Sequence, residues 1–349
     1  MFELQKLLRP HIAAIKPYSS ARDEYSGSDG VFLDANENPF GSITQEAFNR
    51  YPDPYQSALK VEIAKIKNVS PQQIFLGNGS DEAIDLLFRA FCRPSIDEVI
   101  ILPPTYGMYE VSANINDVKL KKVNLTADFQ IDLNGILEAI SANTKIIFFC
   151  SPNNPSGNKL KRQDMLSILA QFEGLVVVDE AYIDFSDEPS FTTELAKYPN
   201  LLVMQTFSKA WGLASLRLGM AFASVEIIKI LNLIKPPYNI SGLTQETVLA
   251  AIGNVSAKDQ MVKSLLVERA NLQESLAAIS YVQKIYPSDA NFLLVKMKDA
   301  RKVYEYLIDH LIIVRDRSKV VLCDDCLRIS VGTPAENQHL IQIMKKFQA

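Results

Sequence analysis

The chain has 349 residues, a length that suits two domains better than one small core. Its 36 basic and 40 acidic residues give a net charge of −4, which argues against a general nucleic-acid-binding protein. The sequence has no run of about 18 apolar residues and no signal-peptide pattern near Met1, so we expect no membrane span and a cytoplasmic location.

Short apolar runs alternate with helical patterns between residues 70 and 222. Runs this apolar are typical of strands that helices cover on both faces. The alternation predicts an α/β fold with a mostly parallel central sheet between helices. We predict strands at 73–76, 97–102, 145–150, 175–178 and 201–205, and helices at 81–92 and 162–172.

The proline-rich segment 235–238 interrupts this pattern. After it, we predict a long helix at 256–280, a strand at 291–295, a helix at 300–310 and a strand at 327–331. These elements indicate a second, smaller α/β domain. We therefore predict a large domain at 36–240, a small C-terminal domain at 241–349, and an N-terminal arm at 1–35 that contributes to the small domain.

Cysteines and histidines give no sign of a metal site. Cys323 and Cys326 have the C-x-x-C spacing, but no second cysteine or histidine pair accompanies them, and the three histidines are far apart. Four scattered cysteines in a chain of this size also argue against a disulfide framework. We predict no bound metal.

Polar residues cluster directly after five of the predicted strands. In open α/β sheets, ligands bind beyond the carboxyl ends of the strands, so these clusters should converge on one site. The clusters are 77–82, 103–107, 151–157, 179–182 and 206–209.

Three features of these clusters suggest chemistry. Lys209 lies among apolar, small and hydroxyl residues, where a buried lysine could form a Schiff base. Asp179 follows four apolar residues, which fits either a helix cap or a partner for a protonated pyridine nitrogen. Segment 77–82 is a glycine-containing turn entering a helix, a common anion site, although it matches neither the Rossmann nor the P-loop motif.

An ordered set of motifs carries a family resemblance. The sequence SPNNPSG at 151–157, then Asp179-x-x-Tyr182, then Ser208-Lys209 with Arg217, resembles the pyridoxal-phosphate-dependent aminotransferases of fold type I. Segments 34–40, 50–53, 104–109 and 326–332 also resemble the histidinol-phosphate aminotransferases within that family. The resemblance covers nearly the whole chain and implies fold type I and the cofactor pyridoxal 5′-phosphate.

The resemblance also implies a role for each matched residue. Lys209 would be the catalytic residue, joined to the cofactor as a Schiff base and then moving protons once substrate displaces it. Asp179 would pair with the pyridine nitrogen, Tyr106 would stack on the ring, and Asn154 and Tyr182 would contact the phenolic oxygen. The cofactor phosphate would be held by Ser80, Asp81, Thr206, Ser208 and Arg217.

A neighbouring subunit and the substrate account for the remaining matched residues. Tyr51 would reach the cofactor phosphate of the neighbouring subunit, which implies a homodimer with shared active sites. Arg328 would bind the carboxylate of glutamate, and Arg328 with Arg315 would face the phosphate of histidinol phosphate. Tyr18 and Asn36 would line the substrate pocket.

The activity that the resemblance implies interconverts L-histidinol phosphate and 2-oxoglutarate with imidazole-acetol phosphate and L-glutamate, a step of histidine biosynthesis. Two enzymes with the same cofactor residues stay open as alternatives, an aromatic-amino-acid aminotransferase and a threonine-phosphate decarboxylase. The two arginines favour a phosphorylated substrate, which disfavours only the aromatic enzyme. A regulator that binds the cofactor and DNA is disfavoured because only about 35 residues precede the motifs and the chain is acidic.

Overall fold

A computed structural model describes residues 2–16 and 30–348. Tyr18, predicted above to line the substrate pocket, lies outside these residues. In the part of the chain that the structure describes, no helix combines the length and apolarity needed to cross a bilayer.

The described elements form two sheets with helices packed around them. The larger sheet contains β1 (Ile74–Asn78), β2 (Glu98–Ile101), β3 (Lys119–Lys122), β4 (Thr144–Cys150), β5 (Leu175–Asp179), β6 (Leu201–Thr206) and β7 (Leu218–Phe222). The smaller sheet contains β8 (Val282–Ile285), β9 (Phe292–Met297), β10 (Arg315–Asp316) and β11 (Cys326–Ser330). The helices are α1 (Leu4–Leu7), α2 (Pro10–Ala13), α3 (Ser57–Lys67), α4 (Ser80–Phe91), α5 (Met108–Ile115), α6 (Leu133–Ala139), α7 (Arg162–Gln171), α8 (Val225–Ile234), α9 (Gly242–Ala251), α10 (Val255–Ala277), α11 (Ala300–Asp309) and α12 (Pro334–Met344).

The larger sheet is mostly parallel, as predicted. Its strand order is β1-β7-β6-β5-β4-β2-β3, and β7 alone runs against the other six strands. The carboxyl ends of the six parallel strands therefore lie on one edge of the sheet. This edge is where the five polar clusters meet.

Both faces of the larger sheet are buried, which explains the continuous apolar runs in its strands. In β5, Val176 and Val178 pack into the core on one face, and Leu175 and Val177 pack into the core on the other. Helices α4, α5 and α8 cover the second face, and α3, α6 and α7 cover the first. The predicted strands were therefore found with shifts of only one or two residues.

Several elements were not predicted from the sequence. Strand β7 was missed although its five residues are all buried. Strands β3, β8 and β10 were missed because each is short or has few apolar residues. The long helix α10 also ends at Ala277 rather than at residue 280. The smaller sheet is antiparallel throughout, in the order β10-β11-β9-β8. The domain boundary at residue 240 stays a prediction.

Candidate active site

The carboxyl ends of the parallel strands surround a cavity, called here the inner cavity. It contains all ten residues predicted to hold the cofactor within one subunit. All five predicted polar clusters therefore contribute residues to one cavity, as expected. The lining residues are Gly79, Ser80, Asp81, Tyr106, Cys150, Asn154, Asp179, Ala181, Tyr182, Thr206, Ser208, Lys209 and Arg217.

Lys209 follows β6 and lies where the inner cavity opens outward. The sequence suggested that Lys209 is buried, but its side chain is exposed to this opening and lines the cavity. The apolar residues next to it in the chain are buried. The ammonium nitrogen lies 5.5 Å from the centre of the Tyr182 ring. Desolvation, followed by the charge of Arg328, lowers the pKa of Lys209. A lowered pKa increases the neutral amine fraction, which is the nucleophilic form.

Asp179 is the last residue of β5, at the base of the inner cavity, and is 3% exposed. Its two oxygens accept hydrogen bonds from the Tyr109 hydroxyl at 2.7 Å and from the Ala181 backbone N–H at 3.1 Å. Burial nevertheless raises the pKa of Asp179 to about 6. No basic side chain pairs with Asp179 among residues 2–16 and 30–348. Such a carboxylate is suited to a cationic ligand.

The start of α4 forms the anion-binding end of the inner cavity. Gly79 has a φ of +71° and precedes the helix, and its backbone N–H donates to the Arg217 carbonyl at 2.7 Å. A Cβ at Gly79 would lie 2.7 Å from an Arg217 guanidinium nitrogen, and one at Gly219 would lie 2.2 Å from Gly79 backbone. These glycines let the helix amides and Arg217 approach one small volume, a geometry that suits a phosphate group.

The side chain of Asp81 contacts two protein groups of the inner cavity, and its predicted role in holding the phosphate stays a prediction. Its carboxylate accepts a hydrogen bond from the Tyr106 hydroxyl at 3.0 Å and lies 3.6 Å from the Arg217 guanidinium. A carboxylate would repel a phosphate, so its backbone N–H at the helix start is the group suited to contact one. The carboxylate instead holds Tyr106 and Arg217 in place.

A second cavity of about 880 Å³, called here the outer cavity, adjoins the first. The two cavities share Tyr106, Asn154, Tyr182 and Lys209. The outer cavity is strongly cationic, because six of its lining side chains are basic and one, Glu110, is acidic. The basic residues are Lys122, Lys209, Arg315, Arg317, Lys319 and Arg328.

Strand pairing brings the arginines of the outer cavity together. Arg315 lies directly opposite Arg328 in the β10–β11 ladder, and like charges in that position repel each other. Arg328 donates to Asn154 Oδ1 at 2.5 Å, and its Nε is buried without a hydrogen bond. Burial lowers the pKa of Arg328, and the neighbouring Arg317 and Arg315 lower it further. An anion between these arginines would reduce their repulsion and would accept the hydrogen bond that the Arg328 Nε lacks.

Arg317, which was not among the predicted site residues, also lines the outer cavity. Its Nε is buried and has no hydrogen-bond partner, and burial lowers its pKa. The sequence contained a signal for this position, because Arg315 and Arg317 are two residues apart and share one face of an extended strand.

Tyr51 and Asn36 lie apart from these cavities. The Tyr51 ring is 51% exposed and stacks on Tyr238 at 4.5 Å, and Asn36 is exposed with a φ of +55°. Neither residue is part of the inner or outer cavity of its own subunit. Their predicted roles in binding stay predictions.

Comparison with known proteins identifies the family. Residues 29–344 match the family model described as aminotransferase class I and II. The chain is 57% identical, over 99% of both sequences, to a histidinol-phosphate aminotransferase of Cytophaga hutchinsonii, and 54% identical, over the full length of both, to one of Bacteroides fragilis. Its fold is similar to that of histidinol-phosphate aminotransferase from Sinorhizobium meliloti in complex with pyridoxal-5′-phosphate, with a TM-score of 0.79, 23% identity and 89% of each chain covered. The chain belongs to the class I and II aminotransferase family.

Proposed function

We propose that this protein transfers an amino group reversibly between L-histidinol phosphate and 2-oxoglutarate, giving imidazole-acetol phosphate and L-glutamate, in histidine biosynthesis. The observation that carries this proposal is the cationic outer cavity, which meets the inner cavity at Lys209. The names of the two relatives that match the full chain at 57% and 54% identity support it.

The cofactor is pyridoxal 5′-phosphate, and the inner cavity has a group to match each part of it. Asp179 offers a buried carboxylate for the protonated pyridine nitrogen. The start of α4 and Arg217 offer donors for the phosphate. The side-chain amide N–H groups of Asn154 and the hydroxyl of Tyr182 offer donors for the phenolic oxygen. When bound, the cofactor supplies an electron sink for negative charge at the substrate carbon.

Lys209 performs the proton transfers in the proposed reaction. Its amine lies at the junction of the two cavities, within reach of a substrate that enters through the outer one. The lowered pKa of Lys209 favours the neutral amine, which can take a proton from the substrate carbon and deliver it again. The nearby Tyr182 ring and Asn154 limit the directions from which substrate reaches Lys209.

The outer cavity accounts for two differently shaped substrates. Arg328, fixed by Asn154 and placed over the Phe292 ring at 5.2 Å, can bind a carboxylate or phosphate oxygen. Arg315 and Arg317 add positive charge beside it, which favours the doubly charged phosphate over a single carboxylate. This charge distribution disfavours an aromatic-amino-acid aminotransferase but suits threonine phosphate as well, so the decarboxylase is the remaining alternative.

A half-reaction tests the proposal. The yellow purified protein is mixed with L-histidinol phosphate alone, its absorbance is followed, and the products are identified. We expect conversion to the pyridoxamine form and release of imidazole-acetol phosphate. A protein that ignores histidinol phosphate but acts on threonine phosphate or phenylalanine would retain the cofactor chemistry and refute the proposed substrate.

Replacing Arg315 should separate the two substrates. In Arg315→Gln, we expect kcat/KM for histidinol phosphate to fall by about tenfold, because a charged hydrogen bond to phosphate is lost. The effect on glutamate should be smaller, since Arg328 still binds a carboxylate. Steady-state kinetics with each substrate measures the difference, with Arg89→Gln in the exposed pair with Asp85 as the control. Equal losses for both substrates would contradict this division of roles.

The protein is further proposed to be a homodimer with shared active sites. Support comes from the segment around residues 31–55, where large apolar side chains are exposed, including Val31, Leu33 and Phe40 at 85% or more. Tyr51 lies in the same segment and outside the cavities of its own subunit. A cytoplasmic location also stays a prediction.

Tyr51→Phe should weaken retention of the cofactor by about tenfold, because a hydrogen bond to its phosphate is removed. The release rate on dilution measures this loss, with Tyr198→Phe as the control. Mixing the Lys209→Ala and Tyr51→Phe proteins should restore one intact site per mixed dimer. A monomer by light scattering, or no restored activity, would argue against shared sites.

A further inference from the structure

We propose that Tyr109 is a positioning residue for the cofactor, whose hydroxyl keeps Asp179 ionised and oriented at the base of the inner cavity. The Tyr109 side chain is fully buried, and its hydroxyl donates a hydrogen bond to Asp179 Oδ2 at 2.7 Å. The two residues are 70 positions apart in the chain. This inference concerns the cofactor, so it goes beyond the proposed substrate and does not depend on it.

The Tyr109 ring is fixed on more than one side. It stacks on Phe148 with ring centres 4.7 Å apart and an angle of 18°. Its edge meets the Tyr106 ring at 5.6 Å and 84°. In this ring position the hydroxyl donates to Asp179 and lies beside the Cys150 thiol. The same tyrosine therefore supports Asp179 and the residue predicted to stack on the cofactor.

The charges around Asp179 make this hydrogen bond important. Burial is the largest influence and raises the pKa of Asp179, and the carboxylate of Asp81 raises it further. The Tyr109 hydroxyl, the Ala181 backbone N–H and the Lys209 charge act in the opposite direction. Within the described ranges, Tyr109 is the one side chain that donates a hydrogen bond to Asp179. Without it, a protonated Asp179 would lose the charge that attracts a pyridinium ion.

Tyr109→Phe tests this role, because it removes only the hydroxyl. The matched control is Tyr281→Phe, since the Tyr281 hydroxyl also donates a buried hydrogen bond, to the Met344 carbonyl at 2.7 Å, in the smaller sheet region. The dissociation constant of pyridoxal phosphate is measured for wild type and both variants from pH 6 to pH 9, without substrate.

At pH 7, we expect Tyr109→Phe to bind pyridoxal phosphate about tenfold more weakly than wild type, because the variant lacks one hydrogen bond to a buried charge. The ratio of the two dissociation constants should fall toward one at pH 9, because Asp179 then ionises even without the hydroxyl. Tyr281→Phe should keep a ratio near one throughout.

Three results would overturn the proposal. The ratio for Tyr109→Phe could stay near one, it could be raised but independent of pH, or Tyr281→Phe could show the same loss. The last two would mean that Tyr109 only supports the fold. Because no substrate is present, failure of the proposed amino-transfer function would leave this test unaffected.

Discussion

Lys209→Ala should abolish turnover and remove the yellow absorbance that the cofactor has when joined to lysine. The variant lacks the amine that binds the cofactor covalently and the base that moves the proton at the substrate carbon. Removing the general base alone costs about 10²–10⁴-fold in rate, and loss of the covalent link adds to this. Absorbance spectra and single-turnover kinetics measure both effects.

The exposed Lys197 outside the cavities provides the control, because Lys197→Ala removes an equal charge without changing the site. We expect wild-type spectra and rates for this variant. A Lys209→Ala protein with full activity would disprove the assignment of the site. If the variant lost activity but kept the absorbance band of the Schiff base, another amine would have to hold the cofactor.

Asp179→Asn should have opposite effects on catalysis and on the stability of the cofactor-free protein. The variant cannot form the ion pair with the pyridine nitrogen, and breaking a buried ion pair costs about 3–5 kcal/mol, or about 10²–10⁴-fold in rate. The fold of the empty protein should become more stable at neutral pH, because a buried carboxylate no longer has to be ionised.

The sign of the stability effect follows from the raised pKa of Asp179. That pKa is about 6 in the folded chain and 3.8 in the unfolded chain, so the folded protein binds the proton more tightly. The stabilisation is present below pH 4 and is lost as the pH rises through 6, which costs about 3 kcal/mol at pH 8. Asp179→Asn should therefore exceed wild type in stability at pH 8 but not at pH 4.

Thermal or urea unfolding of the cofactor-free proteins at both pH values measures this difference. Asp187→Asn is the matched control, because its partner Lys159 lowers the pKa of Asp187, and this exposed residue should show no gain at pH 8. If the stability of wild type relative to Asp179→Asn did not fall between pH 4 and pH 8, the raised pKa of Asp179 would be contradicted.

Local signals in the sequence determined which residues form the inner cavity. Apolar runs such as Leu175–Val178 predicted strands buried on both faces, and a polar cluster followed each of five strands. Because parallel strands place their carboxyl ends on one edge, residues as distant as Ser80 and Lys209 could be assigned to one site from the sequence alone. Family motifs then predicted a role for each residue.

Contacts between distant segments were decided only by the tertiary structure. The strand register that places Arg315 opposite Arg328 and the hydrogen bond from Tyr109 to Asp179 leave no periodic signal in the sequence. Apolar patterns and turn residues report the preferences of neighbouring positions along the chain. The register of a short strand and the partner of a buried hydroxyl depend instead on how separate elements pack, so only the folded chain determines them.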